Sequence, residues 1–198
     1  MNPALRFFVL AICVGAALVQ SPAPADGEGA IKMETIGPIV KQQFGPGFTV
    51  SGSLPTSLIV ADFDSDGVED VAIVADSKDP LPDSYAFKYI VNDPYYSFFG
   101  FGNPQQTVGY GRSDPQHNHD LLVIFGAGPD AWRSATPKAK FVIINVPFDT
   151  VEVGRMLIKK NKPPIFVIKA REAQLMDSSV YWDAKKKRWK WQPGDTLQ

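Results

Sequence analysis

The sequence predicts an all-β protein with predominantly antiparallel sheets, and three observations support this fold class. Short runs of β-branched and aromatic residues recur along the chain and are separated by turn residues. The chain contains 16 Gly and 17 Pro, which favours many turns over long helices. A short Asp-rich segment joins two of the apolar runs, as expected of an antiparallel hairpin. The 198 residues suffice for one domain, which we place at residues 57–198.

The Asp-rich segment, Asp62–Asp70, has the spacing of a loop that surrounds a metal ion. Its carboxylates fall at positions 1, 3, 5 and 9, and Gly67 at position 6 permits a turn with positive φ. Ca²⁺ prefers six to eight oxygen ligands, and it would offset the repulsion among clustered carboxylates. The expected calcium ligands are the side chains of Asp62, Asp64, Asp66 and Asp70 and the backbone carbonyl of Val68. The alternative is a solvated acidic turn.

The residues on both sides of this loop exclude an EF-hand. An EF-hand needs flanking helices and a bidentate Glu at position 12, where this chain has Ile73. Residues Ser57–Ala61 and Asp70–Ala75 are instead short and rich in β-branched residues, which is typical of strands. The loop is therefore predicted to join two strands.

The stretch from Ala61 to Ile73 resembles the FG-GAP/VCBS repeat of integrin-type β-propellers. Those repeats carry a D-x-D-x-D-G-x-x-D calcium loop between two strands of a blade. Asp120–Gly126 is similar to the next strand of such a repeat, including its Phe-Gly ending. Propellers need several blades, and the sequence contains no second loop of this spacing. The resemblance therefore implies one blade-like unit, with calcium as its cofactor, and not a complete propeller.

The first 25 residues are predicted to be a secretory signal peptide. Arg6 precedes an apolar run, Phe7–Val19, and Ala23–Ala25 has the small residues of a cleavage site. An uncleaved anchor is the alternative, and after cleavage we expect no stable membrane span. The protein is then secreted, periplasmic or extracellular. The only Cys, Cys13, lies in the signal, so no disulfide stabilises the mature chain. Residues 26–56 are rich in Gly and Pro, with a short helix expected at Pro38–Phe44.

Residues 76–120 are predicted to be a long aromatic insertion. Long loops inside compact domains are commonly functional, and exposed aromatic side chains suit contact with a protein or a glycan. The candidate ligand or partner surface consists of Tyr95, Tyr96, Phe98, Phe99 and Phe101. The alternative, which the sequence leaves open, is that these rings fold back over the sheet as a satellite core.

The second half of the chain predicts further strands, at 121–125, 141–146 and 165–169. Thr150–Lys159 is ambiguous, but alternation and Gly154 favour a strand over a helix. Ser178–Trp182 and Arg188–Trp191 are predicted to pair as a hairpin through cross-strand aromatic contacts. The H-x-H pair of His117 and His119 could bind Zn²⁺ if a third ligand converged, although solvated turn residues are the favoured interpretation.

Charge is distributed unevenly along the chain. Residues 26–130 contain 15 acidic and 5 basic side chains, whereas residues 131–198 contain 6 and 14. The two halves could pack against each other, or the molecule could self-associate head to tail. The basic run Lys185–Lys190 is interpreted as a solvated hairpin tip, so no nucleic-acid partner is expected.

These observations favour an exported calcium-binding β domain that acts as a binding or interaction module, with a structural calcium ion. The sequence lacks a G-x-S-x-G motif and a Cys outside the signal, so catalysis is not favoured and no catalytic residue is assigned. Two alternatives stay open. One is a secreted hydrolase with a calcium-stabilised fold, and the other is a subunit of an extracellular assembly.

Overall fold

The computed structural model describes residues 33–101, 119–173 and 176–194 of the chain. Strands predominate in these ranges, which confirms the all-β prediction. The strands are β1 (Phe48–Val50), β2 (Leu58–Ala61), β3 (Asp70–Ser77), β4 (Ile90–Asn92), β5 (His119–Phe125), β6 (Ala139–Ile143), β7 (Thr150–Met156), β8 (Ile165–Glu172), β9 (Met176–Asp183) and β10 (Arg188–Pro193). The helices are α1 (Met33–Phe44), α2 (Ser84–Phe87) and α3 (Pro94–Phe98), with a kinked 3₁₀ segment at Gly128–Arg133.

The first sheet is built around β3, which has partners on both sides. β1 and β2 pair with successive halves of one edge of β3, and β5 pairs with the other edge. β6 follows β5, and β4 ends the sheet by pairing in parallel with β6. All other pairs in this sheet are antiparallel. The predicted hairpin across the Asp-rich loop is confirmed by the β2–β3 pairing, with Ala61 opposite Asp70.

The second sheet is an antiparallel meander in the order β10-β9-β8-β7. Its apolar side chains and those of the first sheet form one core between the two sheets. At one end of this core, the Phe125 and Phe141 rings lie 5.1 and 5.0 Å from the Trp182 ring. The arrangement is a two-layer sandwich. The described residues contain neither a closed barrel nor a complete propeller, in agreement with the sequence-based expectation.

The other face of the first sheet is also buried, and α1 lies over it. That face carries the buried side chains of Ile73, Leu122 and Ile124. The buried side chains of α1 are those of Ile36, Val40 and Phe44. Lys140, which points to this face from β6, donates a hydrogen bond of 2.7 Å from Nζ to the carbonyl oxygen of Gln43. The contact fixes the C-terminal end of the helix against the sheet.

The predicted helix at Pro38–Phe44 has the correct end but the wrong start. It begins at Met33, and Pro38 lies inside it. Proline at an interior position removes one backbone hydrogen bond, yet buried side chains at a spacing of four residues favour the helix enough to continue through it. The end is as predicted, because Gly45 adopts a φ of 95° and its N–H bonds the carbonyl of Lys41.

The prediction of a long aromatic insertion at residues 76–120 is wrong in part. β3 extends to Ser77, and the segment contributes α2, β4 and α3. β4 has only three residues, and its parallel pairing with β6 is a long-range contact that no local pattern encodes. The Tyr89 ring lies 5.7 Å from the ring of Phe44, so this part of the segment belongs to the packed domain.

The predicted strands at 121–125 and 165–169 lie within β5 and β8, whereas the strand predicted at 141–146 ends at Ile143. The ambiguous stretch at Thr150–Lys159 is a strand as far as Met156, and the Lys169 side chain lies against Gly154. The tryptophan hairpin forms with Trp189 opposite Trp182. The predicted signal peptide and His117 lie outside the described residues. Within the described ranges, no helix has the length and apolar character that crossing a membrane requires.

Candidate metal centre

The Asp62–Asp70 loop is held in shape by its own first carboxylate. Asp62 accepts hydrogen bonds from the backbone N–H of Asp66 at 3.0 Å and of Gly67 at 2.9 Å. Ser65 and Gly67 have φ values of 63° and 89°, which turn the chain back toward β3. The backbone at Gly67 therefore has the positive φ for which the sequence predicted a glycine.

Asp70 anchors the loop to the core at the start of β3. Its Oδ2 atom accepts from the N–H of Phe63 at 2.8 Å and of Asp64 at 3.3 Å. Its Oδ1 atom accepts from the N–H of Gly126 at 2.8 Å, so the same carboxyl group joins the loop to the end of β5. Burial raises the pKa of Asp70 to about 7, although these three hydrogen bonds favour the charged form.

Three of the four aspartates converge. Asp62, Asp64 and Asp70 each offer one carboxylate oxygen, and these oxygens lie within 4.8 Å of one another. Two oxygens bound to one Ca²⁺ at 2.3–2.6 Å are at most about 5.2 Å apart, so one ion could contact all three. The side chain of Asp64 is only 5% exposed. Its Oδ1 atom is buried without a hydrogen-bond partner among the described residues.

The other oxygen of Asp64 faces a lysine from a distant part of the chain. Lys138 Nζ lies 2.6 Å from Asp64 Oδ2 and 2.6 Å from Asp66 Oδ2. The ammonium group lowers the pKa of Asp66, and both carboxylates raise the pKa of Lys138. Lys138 therefore supplies a positive charge at the rim of the acidic loop.

Asp66 is less directly placed for metal binding than the sequence predicted. Asp66 is not among the three converging carboxylates, because its Oδ1 accepts from the N–H of Val68 at 2.9 Å and its Oδ2 faces Lys138. The Val68 carbonyl stays a predicted ligand.

Gly126 also contributes to the site, although it is not acidic and was not among the predicted ligands. A Cβ atom added here would lie 2.9 Å from the Val68 side chain and would also meet the Glu69 carbonyl. The absence of a side chain lets the loop approach the end of β5 closely enough for the bond to Asp70. The Phe-Gly ending of Asp120–Gly126 was the sequence feature that pointed to Gly126. No sequence feature pointed to Lys138, which lies 74 residues from Asp64.

The predicted aromatic surface is partly a packed cluster. The rings of Tyr95, Phe98 and Phe99 surround Trp191 of β10, with centroid distances of 5.0, 5.0 and 5.9 Å. The Tyr96 ring lies 6.4 Å from that of Phe101. Tyr95 packs against the core, whereas Phe98, Phe99 and Phe101 are exposed. Tyr95 thus packs as the satellite-core interpretation expected, whereas Phe98, Phe99 and Phe101 are exposed as the surface interpretation expected.

A groove of about 290 Å³ opens beside these rings, between α3 and β10. Its lining includes Ser97, Phe98, Arg188 and Trp191. Arg188 Nε and Trp191 Nε1 are buried N–H donors without an acceptor among the described residues. Polar donors of this kind are satisfied when a ligand or water brings acceptor atoms.

His119 has a partner other than a metal in the described structure. Its Nδ1 atom lies 2.6 Å from Asp76 Oδ1, and its ring stands 6.0 Å from that of Phe148. His117 lies outside the described residues, so the predicted H-x-H arrangement is not described here.

The chain was compared with models of protein families, with curated proteins and with solved structures, and none of the three comparisons finds a match.

Proposed function

We propose that this protein is an exported β-sandwich domain that binds one structural Ca²⁺ ion in the Asp62–Asp70 loop and acts as a binding or interaction module. Two observations carry the metal site: the carboxylates of Asp62, Asp64 and Asp70 converge, and the buried Oδ1 of Asp64 has no hydrogen-bond partner among the described residues. A buried carboxylate oxygen without a donor is costly, and a cation offsets that cost.

The donor set favours Ca²⁺ over other common metals. It consists of carboxylate oxygens, with neither Cys nor His in the converging group, which disfavours Zn²⁺ and Cu²⁺. Mg²⁺ demands a near-ideal octahedron and retains several waters, whereas Ca²⁺ accepts irregular shells of six to eight oxygens. A loop with several oxygens already bonded to its backbone offers an irregular shell.

The resemblance to the FG-GAP/VCBS repeat adds support to the proposal. The two resembling stretches, Ala61–Ile73 and Asp120–Gly126, are neighbours in the sheet through the β3–β5 pairing. The hydrogen bond between Asp70 and the Gly126 N–H joins them at the loop itself. In this proposal, calcium stabilises the blade-like unit and takes no part in a reaction.

Lys138 is a competitor for the same carboxylates. Its side chain is 47% exposed, so it can move into solvent when a cation enters. In this proposal Lys138 balances the loop without calcium, and the doubly charged ion replaces it when calcium is present. We therefore expect modest affinity, in the range that extracellular calcium concentrations saturate.

The interaction role is proposed for the exposed aromatic rings of Phe98, Phe99 and Phe101 together with the groove beside α3. The unpartnered N–H groups of Arg188 and Trp191 favour a protein or glycan partner that offers acceptor atoms, such as carbonyl or hydroxyl oxygens. Aromatic rings supply contact area at little cost in side-chain entropy.

Thermal unfolding and calorimetry test the calcium site. We expect the purified protein to bind one Ca²⁺ per chain and to melt at a higher temperature in 2 mM Ca²⁺ than in EDTA. Asp64→Asn should abolish most of this difference, because it removes one charge from the converging group. Asp66→Ala should lower the melting temperature at fixed calcium, because it removes the carboxylate that supports the loop.

The matched control is Asp79→Asn, an exposed aspartate beyond the other end of β3. Its calcium response should equal that of the unsubstituted protein. Equal melting curves in EDTA and calcium, with no heat of binding, would contradict the metal proposal.

The interaction role is tested separately on a glycan and peptide array. Binding should be lost in Phe101→Ala while the melting temperature changes little. Phe98→Ala should also lose binding, with a lower melting temperature because its ring packs on Trp191. A binder whose signal survives both substitutions would place the interaction on another surface.

A further inference from the structure

We infer that one end of the second sheet, formed by the β7–β8 loop and the β9–β10 turn, docks on an anionic lipid surface. The inference does not depend on the calcium site. We call this surface the basic end and define it by Leu157, Ile158, Lys159, Lys160, Lys162, Lys185, Lys186 and Lys187.

The meander topology brings the two tips together. Met156 pairs with Ile165 at the last rung of β7 and β8, and Asp183 pairs with Arg188 at the last rung of β9 and β10. β8 and β9 pair antiparallel as far as Ile168 opposite Val180, so the start of β8 and the end of β9 point to the same end of the sheet. Both connections therefore leave the sheet at that end.

The basic end carries six lysines, and all six are exposed. None of them forms an ion pair with another described residue, and no acidic residue lies between Arg155 and Glu172. The nearest acid of the other tip, Asp183, is engaged by Lys190 at 2.9 Å. Because both tips lie at one end of the sheet, their lysines can act jointly on an anionic surface.

Two large aliphatic side chains stand beside these lysines. Leu157 is 59% exposed and Ile158 is 45% exposed, and they immediately precede Lys159 in the chain. Binding to a polyanion such as nucleic acid or a sulfated glycan does not require exposed aliphatic residues. A lipid interface accepts both, because aliphatic side chains enter the acyl boundary while lysines contact the anionic headgroups. The combination of exposed aliphatic side chains and lysines therefore favours an anionic lipid surface over a polyanion.

The acidic loop lies at the same end of the sandwich, since the Phe63 ring packs 6.4 Å from that of Trp189. Two of its carboxylates are already paired with Lys138. The test is therefore performed in EDTA, where calcium does not contribute and the outcome depends on the basic end alone.

The experiment is sedimentation of the protein with vesicles of phosphatidylcholine, alone or with 30% phosphatidylserine, in 0.1 M NaCl. We expect binding to the anionic vesicles at least tenfold tighter than to the neutral ones, and release at 0.5 M NaCl. The triple substitution Lys159→Gln, Lys160→Gln, Lys162→Gln should weaken binding about tenfold or more. Leu157→Ser with Ile158→Ser should weaken it about fivefold.

Matched substitutions elsewhere separate docking from total charge and total apolar surface. Lys41→Gln, Lys78→Gln and Lys88→Gln together remove the same charge from other exposed positions, and Leu81→Ser removes another exposed aliphatic residue. Both controls should retain binding within about threefold. Circular dichroism checks that each variant is folded, and the salt dependence of the unsubstituted protein tests the electrostatic part without any substitution.

Three results would overturn the inference. One is equal binding to neutral and anionic vesicles, or no binding to either. Another is an equal loss in the lysine control. The third is binding to heparin as tight as binding to anionic vesicles, with no effect of the Leu157 and Ile158 substitutions, which would identify a polyanion site instead.

Discussion

The Lys138 ammonium lies 2.6 Å from the Asp64 carboxylate, which is almost fully buried and belongs to a loop 74 residues away. This contact brings a positive charge to a loop that holds four aspartates in nine residues. The same lysine also contacts Asp66 at 2.6 Å, so one positive charge serves two carboxylates. Two of the four aspartates are thus paired within the chain, and in the proposed function a metal ion would compete with this tethered cation.

Lys138→Met should have opposite effects in EDTA and in calcium. In EDTA, the Asp64 charge loses its partner and the unfolding free energy should fall by about 1–2 kcal/mol. In titration with Ca²⁺, affinity should rise about tenfold, because no ammonium group has to be displaced. Lys41→Met, an exposed lysine on α1, serves as the control. Unchanged calcium affinity would show that Lys138 and the ion do not share the site.

Gly126→Ala should destabilise the fold through the approach of the loop to β5. The added methyl group would overlap the Glu69 carbonyl and separate Asp70 from its N–H donor, which we expect to cost about 2–4 kcal/mol. Gly52→Ala is the contrasting control, since nothing lies within 4 Å of its added Cβ and its φ is not positive. It should change the unfolding free energy by less than about 0.5 kcal/mol. Urea denaturation measures both, and a neutral Gly126→Ala would contradict the close approach.

Substitution by alanine should lower the unfolding free energy more at Tyr95 than at Phe101, although both residues belong to the aromatic segment. Tyr95 packs against Trp191 and the core, so Tyr95→Ala should lower the unfolding free energy by about 2 kcal/mol. Phe101 is 59% exposed, and its substitution should change stability by less than about 1 kcal/mol. Chemical denaturation monitored by tryptophan fluorescence checks both. Similar losses in the two variants would mean that Phe101 is packed as firmly as Tyr95.

Asp93 should make stability fall as the pH rises. Burial raises the pKa of Asp93 in the fold, against the hydrogen bonds from Asn145 and the Tyr96 N–H. The native state therefore holds a proton that the unfolded chain releases near pH 4, and stability present below that pH is lost as the pH rises through the native pKa.

Asp93→Asn removes this titration while retaining an oxygen that can accept from the Tyr96 N–H. Denaturation between pH 4 and 7 should therefore show a weaker decline in stability for the variant than for the unsubstituted protein. Asp79→Asn, at an exposed site, should leave the decline unchanged. Identical pH profiles for Asp93→Asn and the unsubstituted protein would remove Asp93 as the cause.

Local pattern determined much of this structure from the sequence alone. The alternation and β-branched content of the strands predicted the β2–β3 hairpin, the tryptophan hairpin and the strand that ends at Met156. The spacing of the aspartates and Gly67 predicted the turn geometry of the loop. These features depend on residues close in the chain, so short-range periodicity and backbone preferences are sufficient to specify them.

Tertiary structure alone decided which distant groups meet at the loop. Gly126 and Lys138 reach it from 56 and 74 residues away. The Phe-Gly ending of β5 was the one sequence feature that pointed to Gly126, and no sequence feature pointed to Lys138. The start of α1 before Pro38 was likewise decided by burial of its apolar face against the sheet, which outweighed the local preference of proline. The spacing of the aspartates along the chain determines which carboxylates can point into the loop. The positive charge of Lys138 beside them and the close approach of Gly126 depend on the packing of the whole fold.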